Sequence, residues 1–171
     1  DPAALLEDLH RRLQDTTNDR LILQSLPSSY ADVCADPERL SQCLTNLVEN
    51  ALKYSPASHP IELALSSDAD QVVLHVRDHG AGVPAAERER IFGRFVRGSA
   101  SADTSGHGIG LAVVKTLMER MGGAASVAAA GCRDRAPLST EKHGCRRFSP
   151  GFSQGRPGGD PACGKPVQNP G

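Results

Sequence analysis

Four short stretches of this chain carry residue types that could do chemistry. Asn46, Glu49, Asn50 and Lys53 fall on one side of a helical wheel, opposite Leu40, Leu44, Leu47, Val48, Ala51 and Leu52. Two amide oxygens four residues apart can ligate Mg²⁺ without adding charge, and a lysine one turn on can neutralise phosphate. Asp78-His79-Gly80-Ala81-Gly82 follows an alternating apolar run. Glycines there permit close backbone approach, and a carboxylate at the base of such a turn can accept a hydrogen bond from an exocyclic amine. Ser105-Gly106-His107-Gly108-Ile109-Gly110-Leu111 opens a helical stretch. Its glycines leave backbone N–H groups open at a helix N-terminus, a setting that favours phosphate. The spacing fits neither a P-loop nor a dinucleotide-binding turn. Between these lies Ile91-Phe92-Gly93-Arg94-Phe95-Val96-Arg97-Gly98, two phenylalanines and two arginines in eight residues. Taken singly, each stretch also has a plain reading: a solvated helix face, an Asp–Gly strand exit, a glycine-rich loop, a small apolar plug.

The elements that must position them can be read from pattern. Asp36-Pro37 is a helix start, with an N-cap carboxylate and proline at the first helical position. The helix should run to about Tyr54, where Ser55-Pro56 closes it. An earlier helix is expected over Ala3 to Leu13, and a short strand within Arg20 to Leu26. Ile61, Leu63 and Leu65, then Val72, Leu74 and Val76, alternate on either side of Ser67-Asp68-Ala69-Asp70, which predicts a hairpin. Pro84 should begin a short charged helix to about Ile91. Gly98 to Gly110 reads as a mobile loop. Leu111 to Met121 is helical, stopped by Gly122-Gly123, and Ala124 to Ala130 offers one weak strand.

The chain has 171 residues, with 19 basic and 20 acidic side chains, about one domain's worth. Charge balance excludes a strongly basic nucleic-acid binder. No apolar run is long enough to span a bilayer, and Asp1-Pro2 begins no leader, so a piece of a longer gene is expected. Cys34, Cys43, Cys132, Cys145 and Cys163 are odd in number and form no CxxC pair, which favours free thiols and a cytoplasmic setting. Residues 131–171 hold 8 of the 17 glycines and 6 of the 12 prolines. So little apolar content cannot offset chain ordering, and disorder is expected there.

Taken together and in order, the four stretches resemble the ATP-binding catalytic domain of sensor histidine kinases, in the wider family of DNA gyrase, Hsp90 and MutL. Residues 46–56, "NLVENALKYSP", resemble the N box, and 78–84, "DHGAGVP", the first glycine box. Residues 91–98, "IFGRFVRG", resemble the F box, and 106–123, "GHGIGLAVVKTLMERMGG", the second glycine box. The resemblance covers about residues 1–130. It implies an α+β, two-layer sandwich of the Bergerat type: a mixed sheet with helices on one face, and a flexible ATP lid from about Phe95 to Ser105. It also implies ATP and Mg²⁺ as cofactors.

By the same resemblance, Asp78 takes the place of the carboxylate that reads the adenine amino group, and Gly80 and Gly82 line the adenine pocket. Asn50 takes that of the Mg²⁺ ligand, assisted by Asn46. Lys53 and Tyr54 match phosphate and ribose or adenine contacts. Gly106, Gly108 and Gly110 bring amides to the phosphates, and His107 is a further phosphate contact. Arg97, or Arg94, is the candidate for the γ-phosphate. Val83, Ile91, Phe92, Phe95, Ile109 and Leu111 complete the nucleotide site.

The ATP-hydrolysing branches carry a glutamate where this chain has Asn46, and an amide cannot act as a general base. The resemblance therefore implies phosphoryl transfer to a histidine on a separate dimerisation domain, with a response regulator downstream. Membrane attachment would come only through missing N-terminal parts. His10, followed by Arg11, reads as an ordinary surface histidine rather than the phosphoacceptor. An anti-sigma-type serine kinase and a degraded nucleotide-binding module are the alternatives. The departure from the family is the stretch after Gly131. No alternating apolar run stands where a last strand belongs, so a missing strand and an unpaired sheet edge are expected. A frame shift near Gly131 or a genuine C-terminal linker would produce it.

Overall fold

The computed structural model describes residues 1–68, 71–96 and 108–128, and the backbone of 147–153. Helix α1 spans Pro2–Leu13, and Asp1 caps it by accepting from the Ala3 and Ala4 amides. Strand β1 is Leu21–Leu23. Helix α2, Pro37–Tyr54, starts where the sequence places it: the Asp36 carboxylate accepts from the amides of Glu38 and Arg39 at 3.0 and 3.2 Å. The hairpin strands are β2, Ile61–Ser67, and β3, Gln71–Arg77. Helix α3 is Gly110–Arg120, and β4 is Ser126–Ala128.

The charged helix expected from Pro84 does not form. Two separate 3₁₀ turns, Ala85–Glu87 and Arg90–Phe92, take its place. Ala85 to Arg90 offers no apolar stripe to bury, so nothing offsets the cost of nucleating an α-helix.

The missing strand is a second correction. Arg147–Ser153 forms β5, and the sheet order is β1-β2-β3-β5-β4. β5 runs parallel to β3 along its full length and parallel to β4 at Ser126↔Gly151 to Ala128↔Ser153. β3 is therefore a covered strand rather than a sheet edge. The sequence signal was a two-residue period, Phe148, Pro150, Phe152, obscured by proline and glycine. Pro150 pairs with Leu74 and has no N–H to give the ladder, so this strand is weaker than its length implies. Residues 129–146 and 154–171 lie outside the described residues, as does the disorder expected of them.

The sheet is mixed, as expected: β1 with β2 is parallel and β2 with β3 antiparallel. One face packs under the three helices. Ile61, Leu63, Leu65, Val72, Leu74 and Val76 meet Leu6 and Leu9 of α1, Leu44, Leu47 and Val48 of α2, and Val114 and Met118 of α3 in one core. Each fully buried leucine or valine contributes roughly 1.5–3 kcal/mol. α2 lies between α1 and α3 in these contacts, so its polar side is held at a fixed height above the sheet. Among the described residues, no helix is long and apolar enough to cross a membrane.

Candidate functional site

Asp78 leaves the end of β3 and is fully buried. Its Oδ1 accepts a 2.7 Å hydrogen bond from the Gly80 amide. Such a bond orients the carboxylate from within its own turn. Gly80 is itself buried against α2: a Cβ there would lie 2.6 Å from the Tyr54 carbonyl oxygen and 3.0 Å from Asp78 Oδ1. Only glycine lets the turn and the helix end approach this closely. Gly82 completes the turn with φ +80°, and Val83 is half-buried beyond it.

One turn of α2 separates Tyr54 from Asn50. Both are half-buried, as are Asn46 and Lys53, while Glu49 is exposed. The Lys53 ammonium lies 5.5 Å from the Tyr54 ring centroid, which keeps the cation at the end of the helix. Asn50 faces the start of α3: its Nδ2 is 3.7 Å from where a Gly110 Cβ would be. α2 thus links the Asp78 turn at its C-terminus to the first amides of α3 one turn earlier.

The segment before α3 is tied to the 91–98 stretch. Ile91 and Phe92 are buried, and their 3₁₀ turn packs on α3. The Phe95 amide donates to the Gly108 carbonyl at 3.0 Å. Gly108 has φ +64°, and a Cβ on it would meet the Val96 carbonyl oxygen at 2.9 Å. Phe95 itself adopts φ +61°, a left-handed conformation costly for a bulky side chain, and its ring is 75% exposed. Ile109 is also exposed, Leu111 is half-buried, and Arg94 points to solvent. Arg97, Gly106, His107 and the stretch 98–105 lie outside the described residues.

The structure therefore brings together Asn46, Asn50, Lys53, Tyr54, Asp78, Gly80, Gly82, Gly108 and Gly110 around α2 and the N-terminus of α3. Among the described residues, no group of three or more His, Cys, Asp or Glu could hold a metal. A divalent cation here would rest on amide oxygen from Asn50 and Asn46 and on oxygens of its own ligand, which suits Mg²⁺. His10 is not a free surface group: its Nε2 lies 3.0 Å from the Leu21 carbonyl oxygen, which ties α1 to β1. Sequence reasoning missed Arg20. Its guanidinium bonds the loop after Tyr54, and no local signal marks it, because its partners are 35–39 residues away.

A buried carboxylate held by a glycine amide, an asparagine at a helix N-terminus and a glycine-rich lead-in define a nucleotide-binding α/β sandwich. The profile of the family described as histidine kinase-, DNA gyrase B-, and HSP90-like ATPase matches residues 35–152, and the chain belongs to that family. It is 38% identical over 117 residues to the sensor protein kinase PmrB of Pseudomonas aeruginosa, an alignment covering 68% of this chain and 24% of that protein. The chain thus spans about a quarter of that relative's length. A mycobacterial sensor histidine kinase, MprB, superposes with TM-score 0.61 at 28% identity, covering 72% of this chain and 79% of that one. Full-length ShkA in complex with AMPPNP gives TM-score 0.61 at 31% identity over 74% of this chain and 26% of that one. Within the family, the chain is a histidine-kinase type of ATP-binding domain, with the α+β sandwich that the motifs imply.

Proposed function

We propose that this chain is the ATP·Mg²⁺-binding catalytic module of a two-component sensor kinase. In this reading it transfers the γ-phosphoryl group of ATP to a histidine on a separate dimerisation domain, from which a response regulator is phosphorylated. In this reading the module works in the cytoplasm. The observation that carries the reading is the single helix α2, which ends against the Asp78–Gly80 turn and presents Asn50 to the start of α3. One helix so spaces a base-reading carboxylate from a phosphate-binding helix N-terminus.

Asp78 accepts from the adenine amino group, with Gly80 and Gly82 allowing the ring to approach the backbone. Val83, Ile91 and Phe92 flank the ring, and Lys53 and Tyr54 hold the sugar–phosphate side. The amides of 106–111 cradle the phosphates, and Arg97 or Arg94 neutralises the γ-phosphoryl group. Asn50 and Asn46 would hold Mg²⁺, which when bound spreads the negative charge of the phosphates. The bond between the γ-phosphorus and its bridging oxygen breaks, a phosphorus–nitrogen bond forms on the acceptor imidazole, and ADP leaves. With Asn46 in place of an acid, no side chain of that position can deprotonate water, so transfer is favoured over hydrolysis.

The experiment is incubation with a purified histidine-kinase dimerisation domain and radiolabelled ATP. Acid-labile phosphate on histidine, absent with Asp78→Asn, is the expected result. Acid-stable phosphoserine on a partner would support the serine-kinase alternative, and no ATP affinity in the unsubstituted chain would support a degraded module.

A further inference from the structure

Arg20 sits at the mouth of β1, outside all four motifs, yet its contacts converge on the segment that follows the site helix. Its Nε donates to the His59 carbonyl at 3.0 Å. Its Nη2 donates to Ser55 Oγ and to the Pro56 carbonyl, each at 2.8 Å. Its own carbonyl accepts from the Ile61 amide at 2.8 Å. One residue thus holds both ends of the loop between α2 and β2, with its positive charge beside the C-terminus of α2, where the helix dipole favours a cation.

The end of α2 and that loop each touch the Asp78 turn. Tyr54, the residue just before Ser55, meets Gly80 through its carbonyl oxygen. The His59 ring stacks at 5.2 Å, tilted 34°, on His79, the residue between Asp78 and Gly80. His79 also approaches Glu62, with Nε2 3.8 Å from Oε1. The Gly80 amide that holds Asp78 Oδ1 is therefore bracketed by two contacts that Arg20 anchors.

We propose that Arg20 is a positioning residue for the Asp78 carboxylate, acting through the 55–59 loop to set the geometry of the Asp78–Gly80 turn and with it the selectivity for the base. The inference rests on the reading of Asp78 as the base contact. Loss of the clamp lets the end of α2 and His59 shift together, and the Gly80 amide follows. Catalytic geometry is sensitive to such displacements even when they start far from the ligand.

The test uses the full chain with Arg20→Met, Arg20→Lys and His59→Ala. Amide proton–nitrogen correlation spectra are recorded without nucleotide, and affinities for ATP and GTP are measured with Mg²⁺. Arg20→Met is expected to move the Gly80 and His79 amide resonances and to weaken ATP roughly 10-fold while GTP changes less. Arg20→Lys should recover part of both effects, and His59→Ala should move the Gly80 resonance in the same sense. A Gly80 resonance unchanged in folded Arg20→Met, or equal losses for ATP and GTP, overturns the proposal. Should Arg20→Met not fold, the other two variants decide by the same readouts. Failure of the unsubstituted chain to bind ATP would sink the functional reading, while the Gly80 resonance would still decide the coupling.

Discussion

Gly80 and Tyr54 meet where the turn after β3 crosses the end of α2, so closely that a Cβ on Gly80 would lie 2.6 Å from the Tyr54 carbonyl oxygen. That distance is shorter than real methyl–oxygen contacts, and the atom met belongs to the helix backbone, which cannot swing aside. Gly80→Ala should therefore push the turn off the helix. The expected outcome is a loss of about 1–3 kcal/mol in urea unfolding together with loss of ATP binding. Unchanged ATP affinity would mean that the turn does not contact the nucleotide.

Gly108 constrains the other end of the site. Its φ of +64° and the Val96 carbonyl 2.9 Å from the Cβ position both exclude a side chain. Gly108→Ala should weaken ATP because the amides leading into α3 are displaced. Adenosine, which has no phosphates, should bind as before. Parallel titrations of the two ligands check this, and an equal loss for both would refute the assignment of this loop to phosphate.

The cap of α2 is open to measurement without any ligand. Asp36 satisfies two of the first amides of the helix that carries Asn46, Asn50, Lys53 and Tyr54. Asp36→Ala should cost about 1 kcal/mol of stability, and Asp36→Ser should restore most of it. Chemical denaturation of the three proteins gives the comparison.

Cys43 lies on the buried face of α2, and burial pushes its thiol from 9.0 up to about 11. The folded state therefore holds its proton more tightly than the unfolded state. Below pH 9 both states are protonated and the group is silent. As pH rises from 9 towards 11 the unfolded chain ionises first, so this group lowers stability across that window. Cys43→Ala should flatten that part of the pH–stability curve. Iodoacetamide at neutral pH should label the exposed Cys34 and spare Cys43 until the protein is denatured, as peptide mass spectrometry would show.

Strand β5 separates β3 from β4. A chain ending at residue 153 should unfold with the cooperativity of the full chain. One ending at residue 130 loses the pairing along β3 and should melt at lower temperature and associate through the exposed edge. Equal melting points for the two truncations would remove β5 from the folded core.

Much of this protein was legible in its sequence because the signals are local. The Asp36-Pro37 start, the apolar stripe from Leu40 to Leu52 and the alternation over 61–76 each need only a few neighbours to be read, and each element forms as its period requires. The four motifs and their order were enough to indicate the ATP-binding family. The Pro84 helix failed because a start signal without an apolar face has nothing to bury.

Tertiary structure decided what depends on partners far along the chain. The seven residues 147–153 became a strand because β3 and β4 flank them, although Pro150 and Gly151 disguise it. Arg20 acquired a role because β1 and β2 run parallel, which brings its side chain to Ser55, Pro56 and His59. Gly80 and Gly108 were readable as glycines, but only packing shows which backbone each admits: Tyr54 for one, Phe95 and Val96 for the other. Local patterning encodes periodicity and caps, whereas register and close approach arise only once the sheet and helices are assembled.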